Sequence, residues 1–481
     1  MISDPIFTLL SQLRTIVGPA HVLTEQEHGD LSAYVLDWRK RERGVALAVV
    51  RPNSTEQVAA IVKACAATPG VSIVPQGGNT GMVVGSTPDE SGTQIVLSLQ
   101  RMNQVRKLDA GNGTITLDAG CVLQNVQEAC AEAGYLFPLS LGSQGSCTIG
   151  GNLGTNAGGT QVVRFGNTRE LCLGLEVVTA QGEIWDGLSG LRKDNTGYDL
   201  RDLFIGSEGT LGIITGATMK MYPMPAAKLT AFAALPSMDA AVTLLGLAHK
   251  YLSAGLTGFE VMGQFALSLV GKHYPQQRVP FLGMEGAPYC VVLENSDHES
   301  EAHAREQFER LLEAAMEDGC VLDAVIAENI TQAKALWHIR ESIPLAQAQE
   351  GLNIKHDISI PVSSIPEFVR LTDAKLEESF PGVRLVNYGH LGDGNLHYNV
   401  QAPVGADQAA FLTDQEPSVN ALVFEMVDQF KGSISAEHGI GSLKVDKLPH
   451  HKSPVALELM RTIKRALDPQ NMMNPGRVIR V

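Results

Sequence analysis

Between Gly142 and Gly159 the chain runs Gly142-Ser143-Gln144-Gly145-Ser146-Cys147-Thr148-Ile149-Gly150-Gly151-Asn152-Leu153-Gly154-Thr155-Asn156-Ala157-Gly158-Gly159, nearly all Gly, Ser, Thr and Asn. Such a stretch is too polar and flexible to be a core and too long to be one turn. It suits a backbone wrapped around a large polar cofactor. A second loop, Pro75-Gln76-Gly77-Gly78-Asn79-Thr80-Gly81, follows the apolar run Val71–Val74. Its paired glycines let the backbone approach an anion closely, and Thr80 adds a hydroxyl donor. Neither loop is a GxGxxG strand-to-helix junction or a GxxxxGK[ST] phosphate loop. Ordinary tight turns remain the alternative for either loop alone, and the presence of both in one domain weakens it.

Around these loops the sequence has two rhythms. Residues 1–44 read as a helical segment, with Ile2, Phe7, Leu9, Leu10, Leu13 and Ile16 at helical spacing, interrupted by Asp4. From Ala46 come short β-rich runs closed by glycine, at Ala46–Arg51, Ser72–Pro75, Ile95–Ser98 and Thr114–Asp118. A helix is expected from Ser54 to Ala67, with Ser54 as its cap and Glu56 in its first turn. Met221-Tyr222-Pro223-Met224-Pro225 stops regular structure. Beyond it, strands are expected at Lys228–Ala233, Gly258–Met262, Tyr289–Glu294 and Val321–Ile326, and helices at Met238–Leu252, Glu299–Met316 and Ile330–Gln349. That alternation reads as an antiparallel sheet backed by helices, separate from the first domain. The fold class is α+β, divided as 1–44, 45–225, 226–430 and a C-terminal segment 431–481.

The net charge of −15 argues against nucleic acid or an anionic membrane as partner. An anionic substrate would need local cations to hold it against that field. Seven scattered cysteines without a CxxC pair are the usage of reduced intracellular thiols. The N-terminus lacks a basic stretch followed by a continuous apolar block, so no signal peptide is expected, and no apolar run is long enough to span a membrane. A cytoplasmic location follows as the expectation.

Two phrases near the C-terminus carry chemistry: Gly389-His390-Leu391-Gly392-Asp393-Gly394-Asn395-Leu396-His397 and Ser435-Ala436-Glu437-His438-Gly439-Ile440-Gly441. Asp393-Gly394 is a strong two-residue hairpin signal, since a type I′ turn needs positive φ at both central positions. Pairing outward matches His390 with His397 and sets the imidazoles face to face, near enough to share one ion. Glu437 would add an oxygen and leave a coordination position open, and His438 beside it is a candidate proton acceptor. Histidines on a hairpin are also ordinary surface or core residues, so spacing leaves both readings open.

The glycine phrases, together with Gly206-Ser207-Glu208-Gly209-Thr210-Leu211-Gly212-Ile213-Ile214, are similar to the FAD-binding domain of the vanillyl-alcohol-oxidase superfamily. Gly389–Val400, Ser435–Gly441 and Asp468-Pro469 through Asn474-Pro475-Gly476 resemble its D-2-hydroxy-acid dehydrogenase branch, above all the D-2-hydroxyglutarate dehydrogenases. D-lactate dehydrogenases and glycolate oxidase flavin subunits are near relatives. The resemblance covers roughly residues 45–481 and implies a two-subdomain FAD-binding domain, an antiparallel-sheet substrate domain and a C-terminal helical segment.

It also implies roles. Gly77, Gly78, Asn79, Thr80 and Gly81 would hold the FAD pyrophosphate. Gly142, Gly145, Ser146, Ile149, Gly150, Asn152, Asn156, Ala157 and Gly158, with Glu208 and Ile213, would line the rest of the cofactor. Asn79 stands where some members carry a flavin-linked histidine, and Gln144 stands at the second attachment point, so FAD is expected to be non-covalent. His390, His397 and Glu437 match the family's metal ligands, usually for zinc, which acts as a Lewis acid on the substrate hydroxyl. His438 would take the hydroxyl proton while hydride leaves for flavin N5. Asn399 would hydrogen-bond the substrate. Arg340 and Lys355 would bind the far carboxylate of a dicarboxylic acid. Read alone, Arg340-Glu341 is a solvated helix pair. The family's threonine four residues after the arginine is here Pro344, with Ser342 nearby as another hydroxyl.

The implied reaction is oxidation of D-2-hydroxyglutarate to 2-oxoglutarate, with D-malate as a second substrate. Electrons would pass to an electron-transfer flavoprotein or a quinone-linked carrier, and a homodimer is compatible with the reading. The alternatives are a D-lactate or glycolate enzyme, an oxygen-using oxidase, and a subunit whose flavin only relays electrons.

Overall fold

The computed structural model describes residues 5–481; Ile2 and Asp4 lie outside them. By contacts along the backbone the chain forms two units, each built from separated segments: residues 1–158, 167–223 and 437–481 in the first, and 159–166 and 224–436 in the second.

Among its described residues the first unit contains a four-stranded sheet, a five-stranded sheet and a two-stranded pairing of Tyr135–Leu136 with Tyr222–Pro223. In the four-stranded sheet, Ala46–Val50, Gln94–Ser98 and Ser72–Gln76 run parallel, and Val22–Leu23 pairs antiparallel with the outer edge of Ala46–Val50. The segment before Ala46 is therefore helical only in part: Pro5–Val17 is a helix burying Leu9, Leu13 and Val17, but a strand follows it. The expected helix forms at Thr55–Ala66, and the Ser54 side chain accepts from the Gln57 N–H as its cap. The five-stranded sheet is antiparallel, in the order Val105–Asp109, Thr114–Asp118, Gly212–Lys220, Cys172–Thr179 and Ile184–Gly187.

The C-terminal stretch belongs to this unit. Its helix, Pro454–Leu467, is followed by a parallel bridge between Met473 and Ile73. Buried Lys464 donates to Asp468 at 2.5 Å and to the Thr210 and Met473 carbonyls at 2.8 Å, while Asn474 donates to the Gly85 and Glu208 carbonyls at 2.9 and 2.7 Å. The Asp468 and Asn474 phrases thus fasten the chain end into the first unit.

The second unit is one eight-stranded sheet. The strand order is Asp323–Ile326, Ala227–Leu235, Tyr289–Asp297, Leu256–Gly263, Arg384–His390, Asn395–Gln401 and Asn353–Ile354, with Asp357–Ser359 also on Asn395–Gln401. All these pairs are antiparallel. Helix Met238–Leu252 forms over the residues read from sequence, capped by Ser237. Helices cover both faces. Met238–Leu252, Glu301–Asp318, Ile365–Ser379 and Gln408–Gln429 bury one, packing Phe308 and Phe368 with Phe259, Leu293 and Tyr398 of the strands. Gln264–His273 and Ile330–Glu350 cover the other, over Phe232, Met262, Val386 and Tyr388.

Candidate active site

Strand alternation puts the chemistry of the second unit on one face. Residues two apart in a strand point the same way, so Glu260 lies beside Met262, His390 beside Tyr388, and His397 beside Asn399. Met262 pairs with Tyr388 and Val261 with Gly389, so the register continues to Glu260 opposite His390.

The hairpin differs from the expected one. His390 pairs with Asn395 and Tyr388 with His397, and the turn is a 3₁₀ turn at Leu391–Asp393 closed by Gly394 at φ 85°. The Asp393 carboxylate accepts from the Asn395 N–H at 3.0 Å, which favours this longer loop over the two-residue turn. The register has moved by two residues. A slip of one would have sent the imidazoles to opposite faces, whereas a slip of two leaves them together. Their ring centroids are 5.3 Å apart in an edge-to-face arrangement, and each offers a ring nitrogen within 4.8 Å of the other's. His390 is buried and His397 half-buried.

Glu260 is fully buried and bridges two partners. Its Oε1 lies 2.6 Å from His390 Nδ1, and its Oε2 accepts from Arg340 Nε at 2.8 Å. Burial pushes its carboxyl up, but the charges of His390 and Arg340 outweigh that and hold it below the usual carboxylate range. An ionised carboxylate only accepts, so His390 presents Nδ1–H to Glu260, and it is Nε2 that can give up its proton and offer a lone pair, the form in which imidazole takes a metal. Asp393 in the turn is instead pushed up to about 6 by burial.

Arg340 lies in helix Ile330–Glu350, 6% exposed, its guanidinium carbon 4.7 Å from the centre of the Tyr388 ring. It is no solvated surface arginine. Only Nε has a hydrogen-bond partner among the described residues, so the two Nη amines remain for a planar anion. Pro344, inside the same helix, cannot donate to the Arg340 carbonyl. The Ser342 hydroxyl is buried and accepts from Gln277 Nε2 at 2.8 Å, a bond that leaves its own O–H able to donate.

Lys355 is exposed, between two short strands that keep one register against Asn395–Gln401, and so stands opposite Asn399. Asn399 is buried; its Oδ1 accepts from the His356 N–H at 3.1 Å and its Nδ2 donates to Gln347 at 3.0 Å. The Ala436 N–H donates to the Asp357 carbonyl at 3.3 Å, and the chain leaves the second unit with the next residue, Glu437.

In the first unit the two glycine loops pack on each other. A Cβ at Gly77 would lie 2.2 Å from Thr148 Oγ1, and one at Gly78 would lie 2.0 Å from the Ser146 carbonyl oxygen, so only glycine fits at either position. Asn79 takes the left-handed conformation, φ 53°, and its side chain donates to the Leu36 carbonyl at 2.9 Å. Part of the second loop is a short helix, Ile149–Thr155, ended by Asn156 at φ 49°. Ile149 is fully buried, and the Gly150 N–H donates to the Ala119 carbonyl at 2.7 Å. Asn156 Oδ1 accepts from the Arg169 N–H, and the Ala157 carbonyl accepts from Thr168. Gly81, Gly142 and Gly154 face open space, while Gly145 lies near Gln124. Thr148 Oγ1 and Asn152 Nδ2 are buried with no partner among the described residues, the donors a polar cofactor would satisfy.

Ile213 is buried in the antiparallel sheet, paired with Val178. The Glu208 carboxylate accepts from the Ile440 and Gly441 N–H groups at 2.7 and 2.8 Å, and burial pushes it up. It anchors the turn that follows His438. His438 Nε2 is 3.6 Å from Glu437 Oε1, and both side chains are partly exposed. Glu260 was missed in the sequence because no motif contains it. Its one signal was a carboxylate inside an otherwise apolar strand, Leu256-Thr257-Gly258-Phe259-Glu260-Val261-Met262.

Residues 46–187 match the family described as FAD binding domain, and residues 224–478 match FAD linked oxidases, C-terminal domain. The chain belongs to the FAD-linked oxidases. It is 37% identical over 483 residues to D-2-hydroxyglutarate dehydrogenase, mitochondrial, of Arabidopsis thaliana, covering 99% of this chain and 83% of that one. It is 40% identical to D-2-hydroxyglutarate dehydrogenase of Xanthomonas citri pv. viticola, covering 94% and 93%. The fold is that of p-cresol methylhydroxylase, with a TM-score of 0.76 at 17% identity over 99% of this chain and 97% of that one. This FAD-linked oxidase is an FAD-dependent oxidoreductase related to the D-2-hydroxyglutarate dehydrogenases. Among its described residues no helix is long and apolar enough to cross a membrane.

Proposed function

We propose that this enzyme oxidises a D-2-hydroxy dicarboxylate, D-2-hydroxyglutarate foremost and D-malate beside it, to the 2-oxo acid. The observation that carries the reading is Arg340: a buried guanidinium, braced at Nε and with both Nη amines without a partner among the described residues, on the same sheet face as His390 and His397. A monocarboxylate has no use for a second cationic clamp. The names of the relatives point the same way.

The roles divide as follows. FAD, held non-covalently, supplies a hydride acceptor, and a divalent ion, zinc by family resemblance, supplies a Lewis acid. Gly77, Gly78, Thr148 and Asn152 cradle the cofactor. His390, His397 and Glu437 hold the metal, with the Nδ1–H of His390 fixed by Glu260. Arg340 grips the distal carboxylate through two parallel bonds, and Lys355 adds a point charge. Asn399, through its remaining donor capacity, orients the substrate. His438 takes the proton from the substrate's α-hydroxyl oxygen. An electron-transfer flavoprotein or quinone-linked carrier reoxidises the enzyme.

The test is dichlorophenolindophenol reduction over a panel of D- and L-2-hydroxy acids, with metal analysis of protein purified without a chelating tag. Turnover is expected with D-2-hydroxyglutarate well above D-lactate. Equal activity on both would overturn the dicarboxylate assignment, and fast peroxide release would make the enzyme an oxidase. No turnover at all would favour a relay subunit. Bound divalent metal below about half an equivalent, with activity insensitive to EDTA, would remove the metal from the reaction.

A further inference from the structure

We infer that Glu260 is a positioning residue that ties the metal ligand to the substrate clamp, so that metal affinity and preference for a second carboxylate depend on one buried carboxylate. The inference rests on the functional reading above and goes beyond it, since Glu260 belongs to none of the motifs that carried that reading.

Glu260 is 0% exposed in a strand whose neighbours Phe259, Val261 and Met262 are core residues. A carboxylate there is costly unless its charge and lone pairs are met. One oxygen meets His390 Nδ1 at 2.6 Å and the other Arg340 Nε at 2.8 Å. Both partners come from outside its strand, one from the next strand and one from the helix covering that face. An apolar residue would fill this place at less cost, so the arrangement calls for a reason other than stability.

The geometry supplies two. Accepting from Nδ1–H fixes the His390 tautomer and turns Nε2 outward as a ligand, as outer carboxylates do for metal-binding imidazoles. Accepting from Nε–H uses the one guanidinium donor that lies off the Nη1–Nη2 edge, so Arg340 keeps its two-pronged edge for a substrate carboxylate. The Tyr388 ring against the guanidinium, 4.7 Å to its centre, limits rotation about that contact. The spacing between the metal ligand and the far-carboxylate clamp is thereby set through one side chain.

Glu260→Gln keeps the size and removes one acceptor. Its amide oxygen can serve only one of the two N–H donors, and its NH₂ must then face the other. If the NH₂ faces His390, the imidazole must put its proton on Nε2, which can no longer take a metal. If it faces Arg340, the guanidinium is displaced. Glu260→Asp keeps the charge but cannot span both partners, and it serves if Glu260→Gln fails to fold.

The readouts are divalent-metal affinity by titration of metal-free protein, flavin absorbance, and KM and kcat for D-2-hydroxyglutarate and D-lactate. Metal affinity is expected to fall about 10–100-fold, the usual effect of losing an outer partner of a ligand. KM for D-2-hydroxyglutarate should rise by about 10-fold relative to that for D-lactate, with flavin content unchanged. A merely structural role would lower thermal stability and flavin content but leave metal affinity and the KM ratio as in the wild type. That result overturns the inference alone. Wild-type protein that binds no divalent metal and turns over no D-2-hydroxy acid overturns the functional reading, and the inference with it.

Discussion

On one face of the eight-stranded sheet, Phe259, Leu293 and Tyr398 pack against helices that bring Phe308, Leu311 and Phe368. On the other, the same strands present Glu260, Tyr388, His390 and His397 to a helix that brings Arg340. The contrast is sharpest in two carboxyls. Asp373, on the apolar face, accepts from Tyr398 Oη and is pushed up to about 6 by burial. Glu260, buried more deeply, is driven below the usual range because two cationic partners outweigh the same penalty. Burial alone therefore does not set the state of a carboxyl in this sheet. The partners do, and the face that provides them is the one equipped for a reaction.

The largest effects should come from residues of the chemistry. His438→Ala, off the sheet altogether, should lower kcat about 10²–10⁴-fold with flavin and metal retained. His397→Ala should lower turnover by about 10²-fold or more and lose the metal, measured by elemental analysis. Retained metal in His397→Ala would break the assignment of the ionic face.

The apolar face should respond only in stability. Phe308→Ala, in a fully buried position, should cost about 3–5 kcal/mol in denaturant unfolding while turnover of the folded protein stays near wild type. A comparable fall in kcat would mean that the faces are not separable.

Asp373→Asn gives a smaller and pH-dependent effect. The folded-state value lies above the unfolded one, so Asp373 binds a proton in the native state between about pH 4 and 6, and its contribution to stability is lost as pH rises through that window. Asparagine keeps an acceptor for Tyr398 and cannot ionise. At pH 7.5 the variant should be more stable than wild type by up to about 3 kcal/mol, from ~1.4 kcal/mol per unit. At pH 4 that advantage should vanish; a gain of equal size at both pH values would assign the effect to something other than ionisation.

The apolar face was largely legible in the sequence. Met238–Leu252 was read residue by residue, because helical periodicity is a local signal, as is capping, which found Ser54 in the first unit. The ionic face was legible only where it carries motifs. His390 and His397 were found through a two-residue turn that does not form, and the slip that replaced it was even, so they still share a face. Arg340 looked like half of a solvated pair because its cover, Tyr388, and its brace, Glu260, are distant in sequence. The hold of the Glu208 carboxylate on the Ile440 and Gly441 backbone was not legible, since it is a pairing across more than 200 residues that local sequence does not encode. The short helix at Ile149–Thr155 was hidden by its glycines, which lower helix propensity wherever they fall.

The most direct test of the central claim is the ratio of kcat/KM for D-2-hydroxyglutarate to that for D-lactate, in wild type and in Arg340→Ala. Both numbers come from the same folded protein, so a loss of stability does not move the ratio. It should fall about 10–100-fold in Arg340→Ala, since only the longer acid uses the Nη amines. An unchanged ratio would show that the ionic face does not hold the second carboxylate, and the dicarboxylate assignment would fail.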